Sequence, residues 1–377
     1  MASQQPEQSE QPGQPPAAAV LTPPTVPVEQ EETTTETTAT TTTAPAPAPD
    51  TETAAGSPAP AAPVSEEATA TDAETAGILP AEHWVQAARD AGDEGDADSA
   101  LGDDTASSTA SLTSTILQYR KIHGRTFHGE VGDAQYWGSN DEPQNEAWDI
   151  NHHLLTLSMG DRLHLAPLNK NKPSWVPPNL KFEIDDCTRD WTFEPETFDY
   201  VHIRFLVGSI PDWPALFKQA YRALKPGGYL ESFEVSPAIL SDDDTVPETS
   251  ALGQWGKFFE EGGRKMGRTF MVLDEHLQQR SMEEAGFEHI TEWNNKAPIG
   301  SWPKDPAMRE IGEWAQLTLL SDIEGYVLFM ANVMSTWSRE EIQIYAAQLR
   351  REIRSGKLHG YYRQRAVWGQ KPPRAGA

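Results

Sequence analysis

The chain has one cysteine, Cys187, among 377 residues. That excludes a disulfide framework and a multi-cysteine zinc site within one chain. Positive charge is also scarce, since 30 Lys and Arg face 57 Asp and Glu and leave a formal net charge of −27. So acidic a balance argues against a large nucleic-acid footprint. The chain lacks any run of about 18 apolar residues, so nothing in it reads as a membrane span. Met1–Gln11 has neither a basic n-region nor an apolar core, the marks of a secretory signal, and the expected location is intracellular, in nucleus or cytoplasm. HExxH, GxSxG and Walker patterns are missing too. The adjacent His152 and His153 point apart on a helix. No metal site is expected.

What is present divides near residue 112. Residues 1–112 hold 20 acidic residues, one base (Arg89) and 14 of the 30 prolines. Ordering a residue costs roughly 1–2 kcal/mol of chain entropy, which so little apolar surface cannot offset. This part is expected to be a long disordered tail, acidic and rich in Pro, Thr and Ala. One island, residues 78–89, carries Leu79, Trp84, Val85 and Ala88 and reads as a short helix, either a partner-binding segment or a weakly helical stretch of tail. Residues 113–377 hold 37 acids, 29 bases and nearly all the aromatics, so they form the domain that buries a core. Its basic stretch from Arg350 to Arg365 reads as a solvated helix face and strand edge.

Within the domain, helical and strand periods alternate. Helices are predicted near Leu112–Tyr119 and over Glu146–Leu157, with Trp148, His152 and Leu155 near one face. Leu180–Ile184 reads as a short strand before Asp185 and Asp186, and Phe198–Leu206 as a mostly apolar, central one. Asp212 caps a helix with Leu216, Phe217, Ala220, Tyr221 and Leu224 inward. Lys225-Pro226-Gly227-Gly228 stops it before a strand over Tyr229–Val235. A helix ending at Gly286 leads into a strand over Phe287–Trp293. Ser338 and Glu341 form a capping box for a helix that reaches about Ile353, and Arg363–Trp368 reads as the last strand. Such alternation implies a mostly parallel α/β sheet with helices on its faces.

The stretch from Phe198-Asp199-Tyr200-Val201-His202 through Leu224-Lys225-Pro226-Gly227-Gly228-Tyr229-Leu230-Glu231 resembles the fourth strand, helix and fifth strand of class I methyltransferases. Gly124-Arg125-Thr126-Phe127-His128, Asp161–Pro167 and Pro173–Phe182 narrow the likeness. Together they resemble fungal TAM-domain methyltransferases, the group that includes LaeA-type regulators of secondary metabolism, over roughly residues 98–370. The resemblance implies a Rossmann-like class I methyltransferase sheet with helices on both faces and S-adenosylmethionine as cofactor. It also implies a methyl acceptor, either a small molecule or a protein. The alternative function is a non-catalytic regulator of the LaeA-like type that meets protein partners through its tail.

One family feature is missing. A glycine-rich loop ordinarily follows the segment matched here by Leu163–Leu168, where backbone without side chains approaches the cofactor closely. No GxG occurs in the chain, and Asn169-Lys170-Asn171-Lys172 runs straight into the Pro-Ser-Trp segment that the family places after strand two. A unit of about 30 or more residues is therefore absent, by deletion or by an omitted exon, and with it the first two strands. Leu180–Ile184 is then expected either to pair with Phe198–Leu206 or to leave open edges.

By resemblance, Asp186 takes the position that accepts from the adenine amine, and Cys187 places its backbone amide at the ring. Arg204 and Phe205 end the fourth strand beside the methionine-binding corner, where an arginine can hold a carboxylate. Tyr119 and Arg125 belong to the segment that covers the cofactor. His202 reads as a partly buried histidine. Trp302, Trp314 and Trp337 fall in the region that shapes acceptor sites, with core packing as their default. No residue is nominated as a general base.

Overall fold

The computed structural model describes residues 77–90, 119–129, 136–168, 181, 183 and 185–374. Helix α1 (Ala81–Asp90) precedes a hairpin of β1 (Arg120–Ile122) and β2 (Arg125–Phe127), then helix α2 (Glu142–Ser158). Strand β3 (Phe198–Arg204), helix α3 (Trp213–Ala223) and strand β4 (Leu224–Leu240) follow. Next come α4 (Ala251–Met266), α5 (Leu277–Ala285), β5 (Glu288–Pro298), α6 (Pro306–Ser321), α7 (Ile323–Met334), α8 (Arg339–Arg354) and β6 (Tyr361–Gln370).

Capping chemistry sets several boundaries where the sequence places them. The Asp212 carboxylate accepts from the Ala215 amide at 2.9 Å and starts α3. Ser338 and Glu341 exchange both bonds of a capping box at the head of α8. Helix α3 ends at Ala223 on an extended Leu224, and Lys225–Gly228 forms an irregular stretch within β4 between the Leu224–Phe198 and Tyr229–Tyr200 pairs. A Cβ at Gly228 would sit 2.9 Å from the Lys225 carbonyl oxygen and 3.0 Å from that of Asp199, so this stretch needs glycine.

The main sheet has the order β3-β4-β6-β5. β3 runs parallel to β4, while β6 enters between β4 and β5 antiparallel to both. The sheet is thus mixed rather than mostly parallel, because its last strand returns from the opposite end. β4 alternates its side chains across the sheet. Ser232 faces α5, whose Gln278 amide donates to the Ser232 carbonyl at 2.9 Å. Glu231 and Val235 face the opposite side.

Three further expectations are corrected. β3 is not central: among the described strands it pairs with β4 alone. Of the strand expected over Leu180–Ile184, the described residues Lys181 and Glu183 are exposed and lie in no strand. The other residues of that stretch, and residues 112–118 of the expected helix before the hairpin, lie outside the described residues. The third correction concerns α1, which composition assigned to the tail. Trp84 is buried and meets Tyr345 of α8 edge-on at 5.3 Å. The Leu79 amide donates to Gln254 at 2.9 Å, and the Lys257 ammonium donates to the Gly77 carbonyl at 2.9 Å. Packing of the domain therefore begins upstream of residue 113, since one tryptophan anchor disappears in an average over a long acidic segment.

Candidate functional site

In open α/β sheets ligands bind beyond the carboxyl ends of the strands. Here those ends carry an aromatic cavity of about 90 Å³, partly open, beyond β3 and β4. Phe205 and Val207 follow β3, and Val235, Ser236 and Ile239 belong to the far end of β4. Trp137, Trp255, Phe259, Phe270, Tyr326 and Tyr362 supply further rings. The polar lining is Asn151, Ser236 and Thr318, with no ionised side chain among the lining residues. Burial pushes the Tyr326 and Tyr362 hydroxyls well above the ordinary range, so both stay neutral.

The wall after β3 is clamped from several sides. Phe205 adopts a left-handed conformation with φ 59°, uncommon for a bulky residue, and its ring meets Trp148 at 4.8 Å. The buried Glu234 carboxylate accepts from the Leu206 amide at 3.0 Å and from Val207 at 2.9 Å. Burial, only partly opposed by those two bonds, raises its pKa to about 8. Trp137 Nε1 donates to the Val207 carbonyl at 2.9 Å. A Cβ at Gly208 would stand 2.0 Å from the Phe270 ring, so this ring closes over bare backbone.

A second buried carboxylate holds the segment that the family places ahead of its glycine loop. Glu231 accepts from the Leu165 amide at 2.9 and 3.0 Å and from the Ala166 amide at 2.6 Å. Tyr200 and His202 meet beside it at 2.7 Å. Burial, then Arg204 and His164, push His202 down to about 4, so it is neutral near pH 7. It is the partly buried histidine that the sequence predicts.

The six residues proposed for the cofactor do not converge. Asp186 is spent on its own turn, accepting from Thr188 Oγ1 at 2.6 Å and from the Thr188 amide at 3.0 Å. Partial burial opposes ionisation there, but those bonds and Arg189 hold its carboxyl below the ordinary range. Cys187 is half-buried, its carbonyl accepts from Trp191, and burial followed by Asp186 pushes its thiol up. Arg204 meets His152 Nδ1 at 2.7 Å. Phe205 alone reaches the cavity. Tyr119 is exposed and touches the His128 ring edge-on at 6.5 Å. Arg125 is held by Asp141 at 2.5 Å and Asp322 at 2.7 Å, tying the hairpin to the first turns of α2 and α7. Burial alone disfavours its charge, yet the two carboxylates outweigh that and raise its pKa. Trp302, Trp314 and Trp337 pack against His359, His153 and Phe258 respectively, outside the cavity lining.

Sequence reasoning missed Asn151, Glu231, Glu234, Trp137 and Phe270. Two signals were available: acids inside the apolar run of β4, and an asparagine three and four residues before the buried Leu154 and Leu155. A larger hollow of about 550 Å³ lies around Asp242, Asp243, Lys296, Trp302, His359 and Tyr361. Its charges largely pair with one another, as in Lys296–Asp242 at 2.5 Å and His359–Asp243 at 2.6 Å. Among the described residues no His, Cys, Asp and Glu cluster could hold a metal ion, and no single helix is long and apolar enough to cross a membrane.

A parallel strand pair with a cavity at its carboxyl ends suits the methyltransferase class, and a family profile described as a methyltransferase domain matches residues 137–292. A protein named methyltransferase pytC, from Aspergillus terreus, is 30% identical over 305 residues, covering 71% of this chain and 93% of its own. Secondary metabolism regulator laeA of Aspergillus fumigatus is 25% identical over 309 residues, covering 72% and 82%. Protein-methionine methyltransferase laeA of Emericella nidulans is 24% identical over 293 residues, covering 68% and 78%. The chain belongs to the LaeA-like class I S-adenosylmethionine-dependent methyltransferases.

S-adenosylmethionine is the cofactor of that class. The described residues do not make up a complete cradle for it: β3 lacks a second neighbour among the described strands, and five of the six candidates are dispersed or engaged elsewhere.

Proposed function

We propose that this protein is a LaeA-like methyltransferase whose acceptor enters the aromatic cavity beyond β3 and β4. The observation that supports this reading is the cavity itself, with rings from α4, α7 and β6 closing over the carboxyl ends of the only parallel pair among the described strands. The acceptor is a small molecule, or a side chain offered by a protein. The donor side is the incomplete half, and a unit missing between Leu168 and Pro173 accounts for that. Calorimetry of the purified full chain with S-adenosylhomocysteine tests the reading. Saturable binding supports it, and a flat titration by a cooperatively folded chain removes it.

The incomplete donor side favours a second reading, regulation through protein complexes without methyl transfer, with the acidic tail as the partner-binding segment. Affinity capture with full-length and tail-deleted chains tests this one. Methyl transfer by the purified chain, or capture of the same partners without the tail, counts against it.

A further inference from the structure

Asn151 carries the strongest unassigned signal in the molecule. It sits on α2 one turn before Leu154 and Leu155, is 6% exposed, and lines the aromatic cavity. No hydrogen bond to another described residue holds its amide, and the amide is not among the buried atoms sealed off without a partner, so it stays open to the hollow. An unpaired amide facing a hollow is matched by a ligand that brings the partner. An amide both donates and accepts, so hydroxyl, carbonyl and N–H groups all suit it.

The rest of the lining restricts that ligand further. Aromatic walls favour a flat ring through edge-to-face and offset contacts. A charged ligand would be desolvated with no counter-charge among the lining residues. Size matters as well. An apolar cavity of about 150 Å³ accepts benzene, so about 90 Å³ seats one ring part-way and leaves the remainder of a larger molecule outside.

We propose that the cavity binds a neutral single aromatic ring bearing one hydrogen-bonding substituent, and that Asn151 recognises the substituent. This names the acceptor class for the proposed function and rests on that reading only for the role of acceptor. Binding of the ring needs no methyl donor.

The test uses ¹⁹F NMR line broadening on the full-length chain, with 4-fluorophenol, fluorobenzene, 4-fluorobenzoate and 4-fluorobenzylammonium as probes. 4-Fluorophenol, neutral at pH 7, is expected to bind at least about tenfold more tightly than either ion. Asn151→Leu is expected to weaken 4-fluorophenol by about five- to tenfold and to leave fluorobenzene unchanged. Leu319→Trp, at a half-buried lining position, is expected to displace all the probes, with thermal unfolding confirming that each variant folds. Equal or tighter binding of either ion overturns the proposal. So does an unchanged 4-fluorophenol affinity in a folded Asn151→Leu protein, or tighter binding of N-acetylmethionine amide, a thioether, in competition. Ring binding without any response to S-adenosylhomocysteine would leave this inference standing and remove the methyl-transfer reading.

Discussion

Between β4 and β5 the sheet is paired through β6 for most of its length, from Tyr229 opposite Gln370 to Pro298 opposite Tyr361. β3, in contrast, shares a ladder with β4 alone among the described strands. The aromatic cavity lies where the two flanks meet, beyond β3 and β4, and the buried carboxylates of β4 are satisfied by backbone amides. The open flank carries Asp186, Cys187 and Arg204, none of which lines the aromatic cavity. The difference teaches that the pairing of a sheet and the closure of a cavity beside it are built by separate segments, with β6 completing the one and helices that pack after β4 walling the other.

The largest effect should come from closing the open flank. A chain given a strand-loop-helix-strand unit with GxGxG between Leu168 and Pro173 should bind S-adenosylhomocysteine about a hundredfold more tightly than the native chain does. Calorimetry reads it, and no gain in a folded protein would break the comparison. Genomic DNA between the codons for Leu168 and Pro173 offers a second check, with an open frame encoding an apolar strand and GxGxG as the expected result.

Next in size is damage to the tie between the hairpin and helices α2 and α7. Arg125→Ala leaves the buried Asp322 carboxylate without its cation and should cost about 3 kcal/mol in urea unfolding, because a buried charge left without a counter-charge is strongly destabilising. A loss under about 1 kcal/mol would assign Arg125 to a surface role.

Glu234 gives a pH signature. Its folded pKa of about 8 stands above the ordinary 4.5, so proton uptake favours the folded chain. That contribution is complete below about 4.5 and disappears as pH rises through about 8. The unfolding free energy of the native chain relative to Glu234→Gln should therefore decline across this window. A difference independent of pH would show that the carboxyl does not titrate there. The smallest expected effect lies far from the cavity: Ser338→Ala should cost about 1 kcal/mol through the lost cap on α8 and leave 4-fluorophenol binding untouched.

Local chemistry was the legible part of this sequence. Asp212, and Ser338 with Glu341, each act within a few residues and appear where they were expected, while Lys-Pro-Gly-Gly follows the end of α3 but belongs to β4, which begins earlier than expected at Leu224. The cavity was not legible, because its walls come from separate segments between Trp137 and Tyr362. Along α2 the expected inner face was Trp148, His152 and Leu155, yet the buried stripe includes Ala147, Asn151, Leu154 and Leu155 while His152 is exposed. The polar asparagine obscured the period. Arg125 carried no local hint of Asp322, which lies 197 residues downstream. At the margin of β3 the pairing offered by Leu180–Ile184 was one expectation, and its described residues Lys181 and Glu183 lie in no strand.

The docking of α1 has a practical corollary. Shortened forms cut where acidity gives way to mixed charge would discard Trp84 together with the tail. The slot it fills, beside Phe258, Trp337 and Tyr345, would then meet water as a sticky aromatic patch. A shortened protein that starts before Gly77 should stay monodisperse, while one that starts at residue 113 should self-associate.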